Sequence, residues 1–251
     1  ITVLEKDNNG NIWIGSSWGL FLYQNGIWLD FTDSVPFPQI RCVEVDIYNN
    51  VWVGTLSGLA MYNGSWTSFN NDSINSFTIN DIESDSSGVW LGTINGLYRF
   101  SNPVLSLILD TSSLEPFLNV SSLSYVGDSL CIGTINGGLG YLHNNIVDWT
   151  NISSGMIDNT VVDIVVDESG VWCASPYGGV QRHFSNGDWY FYTPNLFLNW
   201  PSPDILSLFI VENSRLLVGS NEGGFIEFNQ ENNSIIHNVT TVSYTHLTLP
   251  T

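Results

Sequence analysis

The sequence predicts an all-β fold, and three observations lead to that prediction. The pattern NIWIGSSWGLFLY at 11–23 recurs as NVWVGTLSGLAMY at 50–62 and as GVWLGTINGLYRF at 88–100. Three weaker copies follow, so six repeats succeed one another at intervals of 38 to 45 residues. Apolar and polar residues alternate within the repeat, whereas no segment sustains the 3.6-residue apolar period of a helix. Four short antiparallel strands repeated about every forty residues describe one blade of a β-propeller.

Each repeat is predicted to form four strands in a fixed order. The alternating first strand ends in a turn such as Asp7-Asn-Asn-Gly10, in which Asp bonds nearby backbone and Gly supplies a positive φ. A short loop ending in Gly joins the second and third strands, and a fourth strand follows, for which the third repeat offers only 104–109. The second strand carries a large hydrophobe that we expect to fill the wedge between blades. These residues are Trp13, Trp52, Trp90 and Trp172, and the tryptophan is replaced by Cys131 in the fourth repeat and by Leu217 in the sixth.

The repeats also set the predicted boundaries. The six blades are expected at about 1–37, 38–76, 77–118, 119–158, 159–202 and 203–241. The last ten residues, VSYTHLTLPT at 242–251, look like a translated sequencing adapter and are expected to be an artefactual tail. A β-sandwich is disfavoured, because it gives no reason for one sequence to recur six times.

The repeat resembles the two-component regulator propeller repeat of Bacteroidetes-type bacteria. The resemblance rests on the pattern D-x-x-G-x-(I/V)-W-(I/V/L)-G-T-x-x-G-L-x-x-(Y/F) and on the inter-blade stretch GMIDNTVVDIVVDESG at 155–170. It implies a seven-bladed propeller, often two in tandem, of which this chain with its six repeats would be a metagenomic fragment. In many relatives such propellers form the periplasmic sensor of a hybrid histidine kinase, and in others they belong to secreted or surface proteins of the type IX secretion pathway.

Composition excludes two classes of partner. The 251 residues include only 5 Lys plus Arg against 24 Asp plus Glu, which gives a net charge of −19. A nucleic-acid partner is excluded because binding phosphate needs a basic surface. Attraction to an anionic membrane surface is excluded on the same ground, and the longest apolar runs are far shorter than a spanning helix of about 20 residues, so we expect no membrane insertion.

The sequence holds no pattern typical of a catalytic or metal site. There is no H-x-x-x-H spacing and no nucleophile elbow. The turn at Asp7 is interpreted as a hairpin rather than half of a calcium loop, because the strand of Trp13 begins where further ligands are needed. Carboxylates are plentiful, but nothing in the sequence sets two of them at the defined separation of an acid–base pair. We therefore expect no enzymatic activity, no cofactor and no metal, and the three cysteines (Cys42, Cys131, Cys173) are interpreted as buried small hydrophobes.

One set of residues is a candidate binding surface. If the first strand lies nearest the propeller axis, the loop after the second strand and the segment between blades emerge on the same face. Aromatic rings among Asn, Ser and Asp offer stacking surfaces and amides to an oligosaccharide or another neutral polar ligand. The alternative is that the rings only fill gaps between blades. The candidate ligand-binding residues are Trp18, Phe37, Tyr177, Trp200 and Asn221, with Phe77, Phe117 and Phe197 on further inter-blade segments.

These observations support three functional hypotheses. The first is a non-catalytic, ligand-sensing propeller in the periplasm or outside the cell, part of a bacterial two-component protein whose histidine kinase would lie downstream. Ligand capture would then change the arrangement of two propellers or of a dimer. The second is a secreted or surface scaffold propeller linked to type IX secretion. The third is a propeller polysaccharide lyase, which the scarcity of Arg and Lys disfavours.

Overall fold

The chain forms six four-stranded antiparallel sheets, which makes it a β-propeller, as the repeats predict. The computed structural model describes residues 1–69, 78–102, 104–110, 119–168, 170–193, 202, 204–211, 215–221, 224–230, 232 and 234–239. Two compact units contain them, residues 1–149 with blades 1 to 4 and residues 150 onward with blades 5 and 6. Within the described ranges, no helix is long and apolar enough to cross a bilayer. The expected tail at 242–251 lies outside these ranges.

The strands of each blade follow one another in space as they do in sequence. Blade 1 consists of β1 (Val3–Lys6), β2 (Ile12–Ser16), β3 (Gly19–Gln24) and β4 (Ile27–Asp30). Blade 2 consists of β5 (Ile40–Val45), β6 (Val51–Thr55), β7 (Gly58–Tyr62) and β8 (Trp66–Phe69). Blade 3 consists of β9 (Ile79–Asp85), β10 (Gly88–Thr93), β11 (Gly96–Ser101) and β12 (Val104–Asp110). Blade 4 consists of β13 (Asn119–Val126), β14 (Ser129–Ile135), β15 (Leu139–His143) and β16 (Ile146–Thr150). Blade 5 consists of β17 (Asp163–Asp167), β18 (Gly170–Ser175), β19 (Gly179–Phe184) and β20 (Trp189–Tyr192). Blade 6 consists of β21 (Ile205–Val211), β22 (Arg215–Ser220), β23 (Gly224–Asn229) and β24 (Ser234–Val239). The irregular third repeat does supply its fourth strand, β12.

The turn between the first and second strands is organised by its aspartate. In blade 2 the Asp46 carboxylate accepts hydrogen bonds from the backbone N–H groups of Tyr48 (2.9 Å) and Asn50 (2.8 Å). It also accepts bonds from the Asn50 amide at 2.8 Å and from the indole N–H of Trp52 at 2.9 Å. Asn49 takes the left-handed position of this turn, with φ 62°, where Gly10 has φ 84° in blade 1. The aspartate therefore fixes both the hairpin and the tryptophan of the next strand, a link that sequence analysis did not predict.

The tryptophans of the second strands pack between blades, as expected. Trp13 is fully buried and meets Tyr62 and Trp66 of blade 2, with ring centres 5.5 and 6.0 Å apart. In the second unit, Trp172 lies in one core cluster with Phe228 of blade 6. Burying such large rings between sheets supplies much of the apolar stabilisation of each pair of blades.

The three cysteines are buried free thiols, which agrees with their interpretation as small hydrophobes. Burial raises the pKa of Cys131 to about 12, with a further contribution from the Glu83 carboxylate. The Cys42 thiol lies 3.9 Å from the carbonyl oxygen of Ile79, on the first strand of the next blade.

A glycine in the second strand allows the first strands of two blades to approach it closely. A Cβ at Gly54 would lie 2.4 Å from Cys42 Sγ and 2.8 Å from a methyl carbon of Ile79. We expect Gly54→Ala to lower the free energy of unfolding by about 1–3 kcal/mol, because overpacking a filled core forces its neighbours to move. Urea titration followed by tryptophan fluorescence measures this change. Thr67→Ala, at an exposed position of the same blade, is the matched control, and equal stability of the two variants would contradict the account.

Candidate functional site

The strand registers give every blade two distinct edges. In blade 2, Thr55 pairs with Ile40 on one side and Gly58 on the other, and Leu56 N–H donates to the Gln39 carbonyl at 3.0 Å. The turn between the second and third strands and the segment leading into the first strand therefore share one edge, called the loop edge. The first-to-second and third-to-fourth turns share the opposite edge, called the hairpin edge. The expectation that both kinds of loop emerge on the same side is met within the blade.

Trp18 lies on the loop edge of blade 1, in a turn with side-chain hydrogen bonds. The Ser16 hydroxyl accepts hydrogen bonds from the N–H groups of Trp18 and Gly19, both at 3.1 Å, and donates to the Gly19 carbonyl. The Trp18 side chain is 86% exposed, so it does not fill a gap between blades. Phe37, on the segment between β4 and β5, is 36% exposed. An ordered backbone that carries an exposed indole suits stacking on a ligand, since little entropy is lost on binding.

Tyr177 and Asn221 lie on loop edges of the second unit. Tyr177 is 84% exposed, and its N–H lies 3.3 Å from an Asp158 carboxylate oxygen. Beneath it the buried Gln181 side chain accepts from the N–H of Ile157 at 2.7 Å and donates to the Asp158 carbonyl at 3.0 Å. Asn221 is exposed and donates its amide to the Asp204 carboxylate at 2.9 Å. Both residues thus project from turns that side-chain hydrogen bonds hold in place.

The structure places the described members of the predicted set on loop-edge segments of two separate units. Trp18 and Phe37 belong to the first unit, and Tyr177 and Asn221 belong to the second. Trp200, like Phe77, Phe117 and Phe197, lies outside the described residues. Ligand binding by this set stays a prediction.

A cavity of about 400 Å³ opens at the hairpin edges of blades 1 and 2. Aromatic rings and amides line it, together with one carboxylate, that of Asp7, and no basic side chain. The amide side chains are those of Asn9, Asn11, Gln24, Asn49, Asn50 and Asn63, and the rings those of Trp13, Phe31, Tyr48 and Tyr62. Sequence analysis did not predict this cavity. The asparagines that recur in the turns of the first two repeats are the signal that could have indicated it.

The Asp7 carboxylate is the electrostatic centre of the cavity, although it is only 6% exposed. It accepts hydrogen bonds from the N–H groups of Asn9 and Asn11 at 2.9 Å and from the Asn11 amide at 2.8 Å. The indole N–H of Trp13 lies further away, at 3.4 Å. Burial raises the pKa of Asp7, but the hydrogen bonds from Asn11, Asn9 and Trp13 outweigh it and hold the pKa below its usual value. The group is therefore an anion at neutral pH.

A second group of carboxylates lies on the first strands of blades 1 to 3. Glu5, Glu44 and Glu83 face Trp13, Trp52 and Trp90 in register, so they occupy equivalent positions. Burial, then the neighbouring Glu44, raises the pKa of Glu5 to about 7. Burial, then Glu44 and Asp81, raises the pKa of Glu83 to about 8.

These glutamates link consecutive blades. The Ser84 hydroxyl donates to Glu44 at 2.7 Å, and the Tyr125 N–H lies 3.3 Å from a carboxylate oxygen of Glu83. Sequence analysis did not predict this common placement of three carboxylates. A glutamate stands two residues before the turn aspartate in the first three repeats, and the common register places all three side chains alike.

Comparison with solved structures finds a similar fold in several bacterial extracellular and surface proteins. The extracellular domain of the hybrid two-component system BT3049 of B. thetaiotaomicron matches with a TM-score of 0.80 and 19% identity over 94% of this chain. The chain has the fold of that extracellular domain. It spans about a third of the matched protein, 33% of its length. The extracellular domain of BT4673 from the same organism matches with a TM-score of 0.54 and 17% identity, over 90% of this chain and 40% of that one.

A third similar structure is PorZ, a surface component of the type IX secretion system of Porphyromonas gingivalis. It matches with a TM-score of 0.69 and 16% identity, over 90% of this chain and 38% of PorZ. No protein-family model matches the chain. No curated protein matches it in sequence. The similar structures share the β-propeller fold that the resemblance to the two-component regulator propeller family implies.

Proposed function

We propose that this chain is a non-catalytic ligand-binding propeller and forms part of the extracytoplasmic sensor of a bacterial two-component protein. The observation that carries the proposal is the exposed Trp18 indole on a turn fixed by three hydrogen bonds. The likeness to the extracellular domains of two Bacteroides two-component proteins supports the signalling role and a periplasmic or extracellular location.

The ligand in this proposal is a neutral oligosaccharide that binds at the loop edge. Sugar rings present apolar faces that stack on Trp and Tyr, and hydroxyl groups that bond to amides and carboxylates. Tyr177 and Asn221 offer the same chemistry on the second unit. The net charge of −19 favours a neutral glycan over a sulfated or uronate-rich one, because like charges repel.

A glycan-array screen followed by titration calorimetry tests the proposal. Trp18→Ala is expected to weaken binding of the best glycan by about tenfold or more, since it removes the stacking surface. Trp28→Ala is the matched control, because this indole is also exposed but lies on the outer strand β4. Unchanged affinity in both Trp18→Ala and Tyr177→Ala would reject the loop-edge site, and a chain that binds no glycan would reject the ligand class.

A scaffold role in type IX secretion is the second candidate function, and the likeness to PorZ favours it. The two roles differ in the kind of segment that the gene encodes downstream of the propeller. A membrane span with a kinase downstream supports the sensor, whereas a C-terminal sorting domain supports the scaffold. Sequencing the full gene separates them.

A further inference from the structure

In blades 3 and 5 an arginine occupies the space between the turn aspartate and the second-strand tryptophan. Arg182 faces Trp172 in register, with its guanidinium carbon 4.0 Å from the indole centre, and donates to the Asp167 carboxylate at 3.1 Å. Blade 3 repeats this arrangement with Arg99, whose guanidinium lies 4.7 Å from the indole centre of Trp90 and pairs with the carboxylate of its own turn. In these two blades a guanidinium balances the partly buried turn carboxylate.

Blade 1 lacks that arginine. Leu22 faces Trp13 in the register position of Arg182, and the donors that bond Asp7 are the neutral groups of Asn9, Asn11 and Trp13. Across the described ranges, the ion pairs lie in blades 3, 5 and 6. Hydrogen bonds keep the Asp7 carboxylate ionised, and the lining of the cavity holds no basic side chain, so a cationic ligand there would be attracted by an unneutralised negative charge.

The space for such a partner is present in blade 1. Leu22, Asp7 and Trp13 all line the cavity of about 400 Å³ at the hairpin edge. Blade 2 has Met61 at the arginine position, and its longer side chain packs against the core shared with blade 3. The cavity therefore lies beside the position at which blades 3 and 5 carry an arginine and blade 1 carries the shorter, buried Leu22.

We propose that the cavity between blades 1 and 2 binds a guanidinium-bearing ligand, whose cationic group pairs with Asp7 as the internal arginines pair with their aspartates. Planar N–H donors match the carboxylate, and the rings of Tyr48 and Tyr62 offer faces to the cation. The side-chain oxygens of Asn9, Asn49 and Asn63 can accept the outward N–H groups. This site lies on the opposite edge from the proposed glycan site and is independent of it.

Methylguanidinium and its neutral isostere N-methylurea test the site. We expect methylguanidinium to raise the melting temperature of the chain in proportion to the logarithm of its concentration, and methylurea to have no such effect. Asp7→Asn should weaken methylguanidinium binding by at least about tenfold, since the charge-assisted bonds are lost. Asp33→Asn removes one exposed charge elsewhere in unit 1 and should leave binding unchanged, which controls for attraction to the net charge.

Leu22→Arg keeps the test valid if Asp7→Asn folds poorly. This variant supplies the guanidinium in cis, as in blades 3 and 5, and should abolish methylguanidinium binding. Binding of argininamide is then compared with binding of acetyl-Gly-Arg-Gly-amide, and tighter binding of either compound than of methylguanidinium supports the site. Tighter binding of argininamide indicates a free guanidinium ligand, and tighter binding of the peptide indicates a guanidinium carried on a polypeptide. Equal binding of methylguanidinium and methylurea, or full binding by Leu22→Arg, would overturn the proposal.

Discussion

Glu83→Gln is expected to make the chain more stable than the wild type at pH 8, by on the order of 2 kcal/mol. The pKa of Glu83 is raised to about 8, first by burial and then by Glu44 and Asp81. The folded chain therefore holds a proton that the unfolded chain releases near its usual pKa of 4.5. Stability linked to this proton is fully present below about pH 4.5 and is lost as the pH rises through 8. The glutamine stays neutral and keeps an oxygen that can accept the Tyr125 N–H.

The measurement is urea unfolding at several pH values. Wild-type stability should fall between pH 5 and pH 8, and Glu83→Gln should flatten this slope. Below about pH 4 both proteins should lose stability, because hydrogen bonds hold the pKa of Asp7 and of Asp85 below their usual values despite burial. Glu168→Gln, at an exposed position, is the matched control and should leave the slope unchanged. A wild-type stability that rises from pH 5 to pH 8 would contradict the raised pKa values of the first-strand glutamates Glu5 and Glu83.

Asp46→Ala is expected to destabilise the chain by about 3 kcal/mol or more. Asp46 is only 7% exposed and accepts four hydrogen bonds, including the one from the indole of Trp52. Removing the carboxylate leaves buried donors without an acceptor, each at a cost of about 1–3 kcal/mol, although part of the loss is recovered where water can enter. Asp46→Asn keeps one side-chain oxygen and should cost less, about 1–2 kcal/mol.

Denaturant unfolding followed by tryptophan fluorescence measures both variants. The Trp52 emission should also shift to longer wavelength in Asp46→Ala, since the indole loses its hydrogen-bonded position. Asp128→Ala is the matched control, because Asp128 is an exposed residue in the equivalent turn of blade 4. If Asp46→Ala and Asp128→Ala cost the same, the aspartate does not stabilise the hairpin as described.

The repeat predicted the fold because a blade is a local structure. The Trp13, Trp52 and Trp172 positions and the D-x-x-G turns each depend on residues close together in the chain, so one repeat carries the information for one sheet. The strand at Val104–Asp110 could be predicted from its apolar run alone. What one repeat does not contain is its contact with the next blade.

The candidate sites were therefore harder to predict than the strands. Trp18 could be selected as an aromatic residue in a short turn, and its exposure agrees with a binding role. The cavity beside Asp7 depends on the absence of an arginine at Leu22, which becomes visible only when repeats are aligned with known registers. The glutamates Glu5, Glu44 and Glu83 owe their raised pKa values first to burial, and Glu5 and Glu83 also to the Glu44 carboxylate of the adjacent blade, which no single repeat encodes.

Hydrogen–deuterium exchange with a bound oligosaccharide tests most directly whether the loop edge binds the ligand. The amides of 16–19, whose turn presents Trp18, are expected to gain protection when the glycan is added. The hairpin-edge amides of 7–11 and 46–50 should not change with the glycan, because they surround the separate cavity beside Asp7. Protection confined to those hairpin-edge amides, with none at 16–19, would contradict the assignment of glycan binding to the loop edge.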